Sequence, residues 1–539
     1  MIQSLRLPPG WSIGTGILLA FLPPVAARAQ SGDTAVLSQI RAAAQAASTI
    51  DDDLFHIADA VGPRTTGSPA LMSAEAWVLG RLRAMDLDSV RAERNPPLDI
   101  GNGLRFDPPG WTWSRLTVQQ LQPWAQTLLA VPLLYSPPSK GLVRGEVVVA
   151  PLPRGRAAAV DSFITQHRGH LRDRFILLRD DPAAMDSAPS TRSYRYSAEE
   201  LQEFSAAPGP DPAERPAERA AARQAPATAP APPRNPFEQN DRIFEFLAEE
   251  GVLGLIGAAP TSSDGALELE ATPVPPMLAA APPAMFNLAP EHYNRLLRLV
   301  RRGIAVELEA QLESRFHEHV GTENLFGELR GSDRADEVVI VGAHLDSWHG
   351  GTGASDNAIG VAVVLEAARI LTALPAPCRR TVVFAFWGGE ELGLAGSRAY
   401  VDRYLTSPST GELTPQGNRV SSYINLDYGG GRIRGIYLQG NRALKPLFDG
   451  WLAGVGDGTL VSTLNVTLGS DQGSFERAGI PGLSFIQDPM NYERRTHHTN
   501  MDDRDHVRLE DAQYNAAALA SIIYRIANAE NPLPRQPRP

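Results

Sequence analysis

The chain has 539 residues, 43 % of them apolar and 21 % charged, with a formal net charge of −11. That length exceeds one ordinary hydrophobic core, so at least two domains are expected. The apolar share excludes a wholly disordered chain, and the mildly acidic balance argues against a protein that tracks nucleic-acid phosphates.

At the N-terminus stand Arg6, an apolar stretch over 13–25 broken by Gly14, Gly16 and the Pro23-Pro24 pair, and then Ala27-Arg28-Ala29. This pattern reads as a secretory signal, residues 1–29, cut after Ala29. The run is shorter than the roughly 20 residues that span a bilayer. An exported protein, periplasmic or extracellular, with no stable membrane span after cleavage is therefore expected. The one cysteine, Cys378, cannot close an intrachain disulfide, which leaves packing and bound metal to hold such a protein together.

Apolar residues recur at helical spacing over 34–50 and 71–85, with a turn-rich connector at 61–68. Short strand-like runs at 145–150 and 175–180 follow, alternating with a helix over 243–250. Within this region residues 206–236 form an Ala/Pro/Arg/Glu tract with almost no large apolar side chain. Such a tract cannot offset its ordering entropy, and it reads as a disordered surface insertion. From residue 337 onward the texture is strand, helix, strand. Residues 338–343 and 381–387 are fully apolar, and Val361, Val364, Leu365, Ala368 and Leu371 mark one helix face between them. This order predicts an α/β sheet covered on both sides, with ligands at the carboxyl ends of its strands.

Those strand ends carry the chemistry. The first finishes in His344-Leu345-Asp346, with Asp356-Asn357 twelve residues after His344; the second in Gly388-Gly389-Glu390-Glu391; a third in Asn425-Leu426-Asp427. A fourth apolar run, 482–486, precedes His497-His498-Thr499 and Asp502. Singly each is a weak signal, since a His-x-Asp pair is more often a surface hydrogen bond and paired glutamates are usually solvated. Together, two imidazoles and three carboxylates suit zinc, and the absence of thiolates excludes a structural Cys-type site.

In this order the motifs resemble the co-catalytic di-zinc exopeptidases, which include bacterial aminopeptidases, glutamate carboxypeptidase II and carboxypeptidase Q. The resemblance extends from residue 71 to about 94 and from 322 to 528, and includes Gly469-Ser470-Asp471-Gln472-Gly473-Ser474-Phe475. Within the family, His344 through Asp356 is most similar to carboxypeptidase Q. The resemblance implies a zinc-exopeptidase core, a mixed central sheet flanked by helices, with an inserted β-rich protease-associated domain. The boundaries would be 30–112 and 315–530 for the peptidase, 113–314 for the insertion, and 531–539 for a flexible tail.

It also implies roles. Two Zn²⁺ ions would be held by His344 and Asp427 on one side and Glu391 and His498 on the other, with Asp356 between them. Asp346 would accept a hydrogen bond from the second nitrogen of His344, and Glu390 would be the general base for a water shared by the metals. His497 stands where many members have a tyrosine that hydrogen-bonds the oxyanion, and Gln472 where relatives often have histidine. Asp502 would fix its loop. The implied activity is hydrolysis at a peptide terminus. Aminopeptidase activity is preferred over dipeptidase or carboxypeptidase Q-like activity, and a non-catalytic receptor-like binding protein is the rival from another class. A peptide substrate and no nucleic acid are expected, and a homodimer is compatible with this reading.

Overall fold

The computed structural model describes residues 31–99, 105–153, 157–184, 194–210, 238–259, 262–263, 265–272, 281–318, 321–467 and 469–536. The proposed signal, most of the 206–236 tract and the last three residues lie outside the described residues. Among the described residues no helix is long and apolar enough to cross a membrane.

One eight-stranded sheet is built from Ser89–Arg94 (β1), Glu323–Leu329 (β2), Arg334–His344 (β3), Arg380–Trp387 (β4), Val420–Asn425 (β5), Ile433–Tyr437 (β6), Val461–Thr463 (β7) and Gly482–Gln487 (β8), in the order β1-β2-β4-β3-β5-β8-β6-β7. The four middle strands are parallel, and antiparallel pairings join β1 to β2, β2 to β4 and β8 to β6. The continuous apolar runs of β3 and β4 fit strands covered on both faces. All eight residues of β4 are buried, as is nearly all of the helix Ile359–Thr372, which lies in the core with the long helix Leu509–Asn528. The mixed α/β architecture expected from the sequence is therefore the observed one. Register aligns the strand ends: His344 sits beside Trp387, and Gly342 beside Asn425. The loops leaving β4 and β5 consequently start level with the end of β3.

Between β1 and β2 the chain makes a second eight-stranded sheet from strands lying between residues 110 and 317. Its long hairpin-like pair, Gly110–Gln122 with Glu307–His317, is antiparallel, while Val143–Val149, Arg174–Leu177, Gly254–Ala258 and Met285–Leu288 run parallel. Period-2 alternation sends Phe175 and Leu177 to one face, against Pro290–Arg301. Ile176 goes to the other, against Ala157–His167 and Glu238–Glu250. The insertion is thus itself a sheet with helices on both faces.

Two expectations are revised. Residues 531–536 are not a loose tail: Leu533 is buried and Arg535 donates to the carbonyls of Gly417 and Val420. One apolar anchor and a guanidinium fork are enough to seat a short segment. Second, residues 194–206, inside the insertion by sequence, dock on the peptidase sheet instead. Arg195 bridges Asp488 and Asp511 at 2.7 and 2.6 Å.

The helix Pro69–Arg83, capped by Ser68, buries Glu75, whose carboxylate accepts from the Glu323 N–H. Burial pushes the Glu75 carboxyl from 4.5 up to about 8, with the Glu323 and Asp346 charges adding to the rise. The folded chain therefore holds this proton more tightly than the unfolded one. The stabilisation is complete below about 4.5 and is lost as pH rises through about 8. Glu75→Gln is expected to raise the thermal unfolding midpoint near pH 9 and leave it unchanged near pH 4.5; equal effects at both would refute the assignment.

Candidate metal centre

The predicted donors meet at the carboxyl edge of the parallel strands. His344 ends β3, Glu390 and Glu391 follow β4, Asp427 follows β5, and His498 lies in the loop after β8. Asp356 comes from the loop between β3 and the buried helix. That loop turns at Gly353, whose φ is +63° and where a Cβ would stand 2.4 Å from Ser347 Cβ, so only glycine fits. Gly431 similarly lets the chain after Asp427 run against the Asp488 carbonyl, 1.8 Å from where its Cβ would be.

Asp356 sits between two groups of donors. Its Oδ1 is 3.1 Å from His344 Nε2, which is 3.6 Å from Asp427 Oδ1. Its Oδ2 is 3.4 Å from His498 Nε2, which is 3.0 Å from Glu391 Oε2. His344, Asp356 and Glu391 each offer an atom within 4.8 Å of the others, as do Asp356, His497 and His498. His497 thus belongs to the same cluster. Its ring lies 3.9 Å from that of His498 and 4.9 Å from that of Tyr492, and its Nδ1 is 3.6 Å from Glu493.

The surrounding polar groups are arranged to hold these donors. Asp346 is fully buried, but the atom that meets His344 Nδ1 is its backbone carbonyl, at 3.0 Å; its carboxylate is 3.6 Å away. The carboxylate instead accepts from the N–H groups of Glu390 and Glu391 and from Thr66 Oγ1, tying the end of β3 to the turn after β4. The role expected of the Asp346 side chain is therefore performed by its main chain. Asp502 accepts from the N–H groups of Ser355 and Asp356, holding the Asp356 loop. Gln472 is fully committed beneath the site, accepting from Asn425 and donating to Tyr428 and Thr467. Ser470 donates to Asp427 at 2.6 Å.

Several contributors fall outside the residues to which the sequence points. Trp348 donates to Glu391 Oε2 at 2.8 Å and packs its ring on His498. Arg64, completely buried, donates to the carbonyls of Ile57, Gly62, Leu345, Thr352 and Gly353, bracing the loop between His344 and Asp356. The insertion supplies backbone partners: the Leu269 N–H donates to the His498 carbonyl, and the Asn500 N–H donates to that of Leu267. The tryptophan in His-Leu-Asp-Ser-Trp is a usable signal. Nothing local in the sequence marks Arg64 or Leu269.

Electrostatically the site is a crowd of buried acids. Burial and the neighbouring carboxylates raise Glu390 and Glu391 well above the usual carboxylate range. Burial first, then the Asp427 and Asp346 charges, push Asp471 up to about 7, and burial with Asp356 does the same to Asp502. Burial alone would lower His344, but the Asp427 and Glu390 charges reverse this and raise it well above 6.5. Glu391 Oε1 is buried with no hydrogen-bond partner among the described residues. Surplus buried negative charge, an unpartnered carboxylate oxygen and a carboxylate between two imidazoles together make a donor set that fits divalent cations.

Residues 324–523 match the family model described as peptidase family M28. Carboxypeptidase Q of Xenopus laevis is 26 % identical over 255 residues, 46 % of this chain and 51 % of its own. Leupeptin-inactivating enzyme 1 of Streptomyces exfoliatus is 32 % identical over 159 residues, 29 % of this chain and 34 % of its own. The chain spans about half the length of the carboxypeptidase Q relatives it matches. Among solved structures, a peptidase M28 precursor from Shewanella amazonensis covers 94 % of this chain and 99 % of its own, with a TM-score of 0.62 at 22 % identity. A zinc aminopeptidase from Bacillus subtilis covers 88 % and 93 %, with a TM-score of 0.52 at 18 % identity. These two likenesses concern the fold. The segment 324–523, which carries every donor of the site, matches the model of peptidase family M28.

Proposed function

We propose that this chain is an exported di-zinc exopeptidase that releases residues from the amino terminus of peptides. The observation that carries the zinc chemistry is Asp356, with one oxygen facing His344 and Asp427 and the other facing His498 and Glu391. When bound by these five residues, two Zn²⁺ ions would supply Lewis acidity, polarising the scissile carbonyl and acidifying water. Glu390, held by its N–H on Asp346 and left out of both donor groups, takes the proton of the attacking water on a carboxylate oxygen and returns it to the leaving amine. His497, in the cluster and partly exposed, donates to the oxyanion that develops on the carbonyl. The inserted sheet is read as a protease-associated domain and residues 1–29 as an export signal.

Charge favours the amino terminus. Carboxyls crowd the site, while neighbouring guanidiniums are already engaged: Arg64 donates to carbonyls, and Arg195 and Arg434 to Asp488. An α-ammonium group suits this field better than an α-carboxylate. The likeness to carboxypeptidase Q supports a second reading, release from the carboxyl end or cleavage of dipeptides. Free-amine, N-blocked, C-amidated and dipeptide substrates given to the zinc-loaded full chain separate these. Cleavage of free-amine and amidated peptides with no cleavage of N-blocked ones is expected. Cleavage of N-blocked peptides at their carboxyl end would overturn the preference, and no cleavage of any would favour a binding protein. Asp356→Ala is expected to drop bound zinc from about two per chain to below one by elemental analysis. Full retention would remove Asp356 from the shared position.

A further inference from the structure

We infer that a hairpin of the insertion, joined to the peptidase through Asn500, positions the His498 end of the metal centre and so governs the retention of one of the two zinc ions. This rests on the di-zinc reading and extends it to how that end of the site is held.

His498 stands in the left-handed backbone region, with a φ of +53°. A residue with a Cβ keeps that conformation only where its surroundings fix it. Within the peptidase, the His497 and Thr499 N–H groups reach only Tyr492 and Thr496, residues of the same loop. The insertion supplies the outside partners. Its short strands Ser262–Ser263 and Ala266–Leu267 pair across a turn at Gly265, whose φ is +84°, and the chain then runs antiparallel to the ligand loop with Glu268 opposite Thr499. The Leu269 N–H donates to the His498 carbonyl at 2.8 Å, the Leu267 N–H to Asn500 Oδ1 at 2.6 Å, and the Asn500 N–H returns to the Leu267 carbonyl at 3.2 Å. Asn500 thus meets Leu267 with both its side chain and its main chain.

The hairpin is itself anchored. Leu267 and Leu269 are buried in an apolar cluster with Val131, Ala259 and Ala289. Trp348 packs against that cluster, and its indole N–H donates to Glu391 Oε2. Leu269 also meets the loop after β3, where a Cβ on Gly350 would stand 2.6 Å from Leu269 Cδ2. The insertion therefore braces His498 directly and Glu391 through Trp348. The opposite donor pair is built differently: His344 ends β3, Asp427 follows β5 and accepts from Ser470, all within the peptidase. Groups that hold a ligand in place without touching the metal contribute about 10- to 100-fold to its affinity. Breaking the join is expected to cost that factor at one ion alone.

The test measures Zn²⁺ binding by the full chain across a zinc-buffered series. Two ions are expected on the wild type. Asn500→Ala removes the acceptor of the Leu267 N–H and is expected to weaken one ion about 10- to 100-fold while the other stays within about threefold. Asn500→Asp keeps an acceptor there and is expected to recover most of the loss. In Glu391→Gln, where the same ion is already lost, adding Asn500→Ala is expected to leave the remaining ion as it was. The inference is overturned if folded Asn500→Ala holds both ions as the wild type does, if it weakens both alike, if Asn500→Asp recovers nothing, or if the double variant loses its remaining ion. Should Asn500→Ala fail to fold, amide exchange of the wild type decides. By linkage, an ion that the join helps to hold must in turn slow exchange at Leu267, Leu269 and Asn500; exchange there that is indifferent to zinc overturns the inference. If the wild type binds fewer than two ions, the di-zinc reading is what has failed, and the same exchange measurement still decides the join.

Discussion

Glu390→Gln is expected to lower kcat by about 10² to 10⁴ while the full complement of zinc stays bound. Glutamine has nearly the volume and shape of glutamate, and the main-chain bond from residue 390 to Asp346 Oδ1 does not involve the side chain. Neither His344 with Asp427 nor His498 with Glu391 uses the Glu390 carboxylate in its close contacts. The substitution therefore changes one thing, the ability to accept and return a proton. In the proposed reading Glu390 is base and Glu391 ligand; Asp346 receives both of their N–H groups, one on each oxygen, and so sets the turn from which the two side chains diverge. Glu391 points to Trp348 and His498. Glu391→Gln is the matched control, expected to lose zinc as well as activity. Steady-state kinetics with elemental analysis of both proteins decides: activity surviving in Glu390→Gln would remove the base assignment, and zinc lost from it would make Glu390 a ligand.

Arg64→Leu is expected to destabilise the fold by about 3 to 5 kcal/mol and to weaken zinc binding. Two effects oppose one another. Burying a guanidinium is costly, and burial lowers Arg64 from 12.5 to about 10, a cost that leucine would relieve. Against this, leucine withdraws donors from the carbonyls of Gly62, Leu345 and Thr352, with bonds of 2.9, 2.8 and 2.7 Å, and removes a cation from among Asp502, Asp346, Asp356 and Glu391. Unpaired carbonyls and a less screened acidic cluster outweigh the relief. Because the Leu345 and Thr352 carbonyls belong to the segment between His344 and Asp356, the loss reaches the donors themselves. Chemical denaturation with and without zinc measures both effects. A variant as stable as the wild type would show that the guanidinium is replaceable by packing alone.

Much of the site is legible without any fold. His344, Asp356, Glu391, Asp427 and His498 each stand out by residue type at the ends of apolar runs and by a family resemblance. All five lie in one cluster. They are legible because parallel strands present their carboxyl ends to one edge, so that a local feature, the acid or imidazole after an apolar run, has a predictable location. Residues whose work depends on distant partners are less legible. Arg64 looks like part of an ordinary Gly-Pro turn, and its fork acquires a purpose only when the loop after β3 arrives, 281 to 289 residues further along the chain. The resemblance implies Asp346 as a side-chain acceptor for His344, but local chain geometry puts its carbonyl nearer, and its carboxylate accepts from the N–H groups of Glu390 and Glu391.

The described residues form two eight-stranded sheets with separate hydrophobic clusters. By itself the sequence determined the α/β class and the strand ends that carry donors, since each is written in residue type and short-range period. Only the tertiary structure decided how the insertion is used: Leu269 pairs with the His498 loop, and Arg195 locks residues 194–206 over the end of the peptidase sheet. Main-chain hydrogen bonds and buried ion pairs between segments hundreds of residues apart leave no periodic trace. They follow from where the folded backbone brings each group.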